Sequence, residues 1–87
     1  MKVGDYVTNS PKFDIDQMDI WKVQAIDIYE VKLKLIIEDG EQEDPQDHFW
    51  IDRVDPLPFK KYYRKANFKE LGFYNLIPKS LQFITQK

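Results

Sequence analysis

Val31-Lys32-Leu33-Lys34-Leu35-Ile36-Ile37-Glu38-Asp39-Gly40 is the stretch that decides how this chain folds. Val31, Leu33, Leu35 and Ile37 share one parity, and Lys32, Lys34 and Ile36 share the other. An apolar period of two marks a strand with one face turned to a core. Asp39-Gly40 follows, a pair that tolerates positive φ and suits a hairpin turn. The acidic residues continue through Asp47, so the spacing predicts a long hairpin loop there.

The flanking segments extend the β reading. Val3 to Thr8 is a short strand, broken by Asn9-Ser10-Pro11. Residues 12–19 are polar and read as a loop. Ile20 to Ile28 is a second strand, with Trp21, Val23 and Ala25 on one face and Ile26 and Ile28 on the other parity. That switch predicts a bulge near Ala25-Ile26. His48 to Val54 is a fourth strand, with Phe49 and Ile51 on one side and Trp50 on the other; Asp55-Pro56-Leu57-Pro58 ends it.

Beyond that point the period changes. Phe59, Tyr62, Tyr63 and Ala66 stand at i, i+3, i+4 and i+7, one face of a helix, with Pro58 at its first position. Lys60, Lys61, Arg64 and Lys65 fall on its other side. Asn67 with Glu70 has the form of a capping box, and Gly72 is placed to close the turn that follows. Ser80 to Thr85 reads as a last strand.

Charge divides at the same border. Residues 1–57 hold six Lys or Arg against fourteen Asp or Glu, a net −8. Residues 58–87 hold seven Lys or Arg against one Glu, a net +6. The expected organisation is one folding unit: an acidic core over 1–57 with a basic, aromatic extension over 58–87 packed on it. Eighty-seven residues with two Trp, five Tyr and six Phe make one small domain, aromatic for its size. The absence of Cys excludes disulfides, thiolate metal sites and Cys nucleophiles. No apolar run has signal-peptide or membrane-span length, so the expected location is cytoplasmic, with no membrane partner.

Val3-Gly4-Asp5-Tyr6-Val7, followed after a loop by Ile20-Trp21-Lys22-Val23, resembles the first hairpin of SH3-like barrels of the KOW and Tudor kind. The resemblance covers roughly residues 2–57. It implies a mainly β fold, an SH3-like five-stranded barrel, with the short helical segment and final strand as a C-terminal extension. The sequence departs from the KOW pattern where Asp16-Gln17-Met18-Asp19 replaces a glycine-rich turn, which weakens the nucleic-acid role usual among KOW domains. An aromatic cage of the Tudor kind would draw on Tyr6, Trp21 and Trp50.

No catalytic motif is present. His48 is the sole histidine, too few for a zinc site, and Gly4, Gly40 and Gly72 form no phosphate loop. The glycine of the Asp39 series stands second rather than sixth, so the acidic run is no EF-hand. Neither cofactor nor metal is expected. The preferred expectation is a non-enzymatic module acting through protein–protein contact, a regulator or a phage-type inhibitor of a nucleic-acid enzyme. Its contact residues are expected to be Trp50, Glu41, Glu43, Asp44 and Asp47. The alternative is direct nucleic-acid binding through Lys60, Lys61, Arg64 and Lys65, where cations alternate with aromatics. A second copy of the chain also stands open as a partner through exposed strand edges.

Overall fold

The computed structural model of the protein describes residues 1–10, 15–42 and 51–77. Strands β1 (Tyr6–Thr8), β2 (Ile20–Ile26), β3 (Val31–Glu38), β4 (Glu41–Gln42), β5 (Ile51–Val54) and β6 (Arg64–Lys65) build one antiparallel sheet. Helix α1 (Pro56–Tyr62) lies between β5 and β6, and α2 (Phe68–Phe73) follows β6. The sheet runs β4-β3-β2-β1-β6, with β5 also paired to β3. The fold is therefore mainly β with two short helices. Among the described residues no ladder joins β4 to β6. The strand expected over residues 80–85 lies outside the described residues, as does the His48–Trp50 part of the fourth strand.

The strand that decided the reading is the centre of the sheet. β3 pairs β2 along its length, Val23 opposite Leu33 and Trp21 opposite Leu35. The register slips between Val23 and Ala25, one residue before the expected bulge site. A second slip at Ile20/Trp21 has no sequence signal. The buried residues fall into two cores. Val7, Trp21, Val23, Val31, Leu33 and Phe59 form one. Met18, Ile20, Ile37 and Tyr74 form the other. Ile20 and Trp21, on either side of a register slip, enter different cores, and Ile37 joins the second core although it shares parity with Leu33 in the first.

Several expectations are corrected. The expected long loop does not begin at Asp39: Glu38 pairs Glu41 across a two-residue turn, with Asp39 at φ 49° and Gly40 at φ 80°, and the rest of that loop, 43–50, lies outside the described residues. Gly40 is required twice over, since a Cβ there would stand 2.0 Å from the Asp16 carbonyl oxygen. The turn is fastened by Gly40 N–H to the Met18 carbonyl and Asp39 N–H to the Asp19 carboxylate. The segment before β2 is not all loop either. Ile15–Gln17 forms a 3-10 turn and sinks Met18 into the second core. β2 stops at Ile26, so Ile28 lies in the turn to β3 rather than in the strand.

In the C-terminal part, α1 starts at Pro56 rather than Pro58 and ends at Tyr62, because Tyr63 is extended. The charge border at Leu57/Pro58 therefore falls inside a helix. The helical period stops there because β1 offers unpaired backbone groups, and Arg64 and Lys65 take them opposite Thr8 and Val7. Ala66 N–H continues the pairing to the Tyr6 carbonyl. The Asn67/Glu70 capping box is formed in both directions. Gly72 is not the cap. It lies within α2, and Asn75, at φ 57°, takes the left-handed position of a Schellman ending, with Leu76 N–H on the Leu71 carbonyl.

Candidate functional site

A seven-residue helix has no stability of its own in water, so α1 exists because its inner face is held. Phe59 enters the first core with its ring 5.3 Å from that of Tyr63, which meets Trp21 edge-on at 5.4 Å. Trp21 Nε1 donates to the Asp52 carboxylate at 2.9 Å. Burial, then the Asp52 and Asp19 charges, push the Tyr63 phenol up from its ordinary value. Phe59 and Tyr63, four apart, are the ridge that faces in.

Leu57, Pro58, Lys60, Lys61 and Tyr62 are exposed. Leu57 pairs with Lys61 and Pro58 with Tyr62 at i, i+4 spacing, and Lys60 stands beside them. Leu57 is 80% exposed and Tyr62 is 62% exposed. The sequence had placed Tyr62 on the buried stripe; the early end of α1 leaves it in solvent. Leu57, Pro58, Lys60, Lys61 and Tyr62 line a concavity of about 520 Å³. Lys61 Nζ lies 5.4 Å from the Tyr62 ring centre, so the cation covers part of that aromatic face.

The four tail cations have different surroundings. Arg64 donates through both terminal nitrogens to Glu70, at 2.8 and 2.7 Å, and Nη2 also reaches the Ser10 carbonyl. Glu70 is 1% exposed, and its carboxylate also accepts from Asn67 N–H. The hydrogen bonds to Glu70 raise the guanidinium above its ordinary value despite partial burial. Arg64 thus ties β6 to α2 and to the chain end of β1. Lys65 stands 3.5 Å from Asp5. Lys60 and Lys61 make no ion pair among the described residues.

Of the acidic-loop residues, Glu41 is exposed on β4. Glu43, Asp44, Asp47, His48 and Trp50 lie outside the described residues. The parity on which an outward Trp50 rested took Ile51 as inward. Ile51 is exposed instead, while Asp52 meets Trp21 and Val54 packs on the first core.

Sequence reasoning missed the β2–β3 turn. Asp27 accepts at one oxygen from the amides of Tyr29 and Glu30, both at 2.7 Å, which holds its carboxyl below the usual range. That turn lifts Ile28 and Tyr29 into solvent, 81% and 78% exposed. Val31 pairs Val54, so this turn and the start of α1 leave the same end of β3. An Asp followed by two large apolar residues and a Glu between strands was the available signal. A second hollow, of about 370 Å³, is lined by Lys2, Asp5, Tyr6, Lys65, Phe68 and Leu71 among others. Its Asp5 carboxylate is pushed up by burial, but the Lys2 amide and the Lys65 charge outweigh this and hold it below its ordinary value.

Among the described residues no group of three or more His, Asp or Glu is placed to hold a metal ion. Nor is any helix there long and apolar enough to cross a membrane. Comparison with protein-family models, curated proteins and solved structures gives no match.

Proposed function

We propose that this protein is a small non-enzymatic binding module that works through protein–protein contact, with the outer face of α1 as its docking surface. A regulator, or an inhibitor of a nucleic-acid enzyme, is the role its size and charge layout suit. The observation that carries the reading is Leu57 and Tyr62 in solvent on a helix already anchored by Phe59 on its other side. Tyr is among the residue types enriched at interface anchors, and here it stands on a helix held from its other side. Ile28 and Tyr29 are also exposed, in the turn that leaves the same end of β3. For the fold, we read the sheet as an SH3-like barrel. Support comes from the β1-β2-β3 meander and from a late strand, β6, that returns to pair with β1.

Direct nucleic-acid binding through residues 60–65 is the weaker reading. Arg64 and Lys65 are engaged within the protein, which leaves Lys60 and Lys61. Two phosphate contacts give only a shallow salt dependence, with a slope of about −2. A photo-crosslinking residue placed at position 62, and separately at position 41, separates the two readings. Protein adducts from position 62 that survive nuclease support the docking face. Adducts only from position 41, or only to nucleic acid, overturn it.

A further inference from the structure

We infer that the α1 face takes an acidic amphipathic segment of a partner protein, with an apolar side chain between Leu57 and Tyr62 and carboxylates on Lys60 and Lys61. The inference rests on the docking face proposed above and names what it accepts. Its first support is composition at short range. The concavity has apolar walls in Leu57, Pro58 and Tyr62, and its two charged members, Lys60 and Lys61, are both cations. A strand of phosphates would satisfy the cations but leave Leu57 in water. A neutral apolar segment would cover Leu57 but bury part of two unpaired ammonium groups, which is costly. A segment with both features matches all of the lining residues.

The second support is the contrast with the other cations of the same region. Arg64 is committed to Glu70 and Lys65 to Asp5, whereas Lys60 and Lys61 make no ion pair among the described residues and Lys61 stands over the Tyr62 ring. Two acids at this end of the sheet, Glu30 and Asp27, are also engaged, while Asp55 before α1 makes no side-chain cap bond. Glu30 stands 3.9 Å from both Lys32 and Arg53, and the Asp27 carboxylate holds its own turn. The chain's own acidic turn is a poor occupant. Asp16, Asp39 and Glu41 lie toward the Glu38 end of β3, away from α1, which follows the strand paired at Val31. No large apolar side chain within residues 15–20 or 36–42 is exposed there to fill the space beside Leu57.

The test is a titration of the isotope-labelled full chain, read by amide shifts, with three probes. They are a short synthetic peptide carrying Leu and Phe among Glu residues, the same peptide with every Glu replaced by Gln, and a single-stranded oligodeoxynucleotide. The acidic peptide should move the amides of residues 57–62. The Lys60→Gln, Lys61→Gln variant should bind it about five- to tenfold more weakly, as two partly exposed ion pairs imply. That variant keeps Phe59, and its unperturbed amide spectrum serves as the folding control. Equal binding of the Gln peptide on the same face overturns the acidic specificity and leaves the docking face standing. Binding of the oligonucleotide alone overturns both. Shifts of the same amides with protein concentration alone make a second copy the occupant and overturn the inference, as does silence from all three probes.

Discussion

Replacement of Glu70 by Ala is the sharpest test of how the C-terminal part is held. The carboxylate is buried, makes two short bonds to Arg64, and accepts the N-cap amide of α2. Removing one member of a buried pair costs ~3–5 kcal/mol, because the other charge keeps its desolvation penalty. The Arg64 side chain is 26% exposed, which places the cost at the lower end of that range. Loss of the Asn67 N–H bond adds ~1 kcal/mol. A total of about 4 kcal/mol is a large share of the ~5–15 kcal/mol available to a domain, and a chain this short sits near the bottom. With a urea slope of ~1 kcal/mol per molar, the midpoint should fall by roughly 3–4 M, close to unfolding in water. The assay is urea denaturation followed by far-UV circular dichroism and tryptophan fluorescence, whose agreement checks two-state behaviour. Arg64→Met with Glu70→Leu should recover much of the loss, since an apolar pair needs no desolvation. A midpoint shift under ~1 M for Glu70→Ala would refute the reasoning and return Arg64 to the candidates for external contact.

Three further outcomes follow from single positions. Gly40→Ala combines a left-handed φ, costing ~1–2 kcal/mol, with a Cβ 2.0 Å from the Asp16 carbonyl oxygen; a loss of about 2–4 kcal/mol is expected in the same urea assay. Phe59→Ala should cost ~3–5 kcal/mol and remove the α1 contribution to helicity, because Phe59 is the buried residue by which that helix enters the first core. Asp5 has its carboxyl held below the ordinary 3.8 by the Lys2 amide and Lys65, so it contributes stability above that value that is lost as pH falls through its folded value. The stability gap between wild type and Asp5→Asn should therefore be full at pH 6 and shrink as the pH falls below 3.8 through the lowered folded value; a gap that widens in acid would contradict the sign.

The parts of the fold that rest on local pattern were legible. The Val31–Ile37 alternation, the bulge after Val23 and the Asn67/Glu70 box each depend on residues within a few positions of one another. The parts that depend on distant pairing were not. Tyr62 and Ala66 share a helical face only if the helix continues, and it stops because β1 needs a partner for Val7 and Thr8. Arg64 looked like its lysine neighbours, since nothing in the sequence says that Glu70 will be buried against it. The acidic run hid a two-residue turn because Asp39-Gly40 is followed by more acids rather than by an apolar strand. Of the residues expected to bind nucleic acid, Lys60 and Lys61 survive as available cations. Leu57 carried no signal, because its neighbours Pro56 and Pro58 mark the end of a strand as readily as the start of a helix.

The central claim is that Leu57 and Tyr62 serve a partner and not the fold. Partner recovery by the Leu57→Ser, Tyr62→Ser variant, measured at a folded fraction equal to wild type, tests it most directly. Both side chains stand largely in solvent, so the variant should keep its urea midpoint within ~0.5 kcal/mol of stability while losing the protein that cross-links to position 62. Full recovery of that protein by the folded variant would contradict the account.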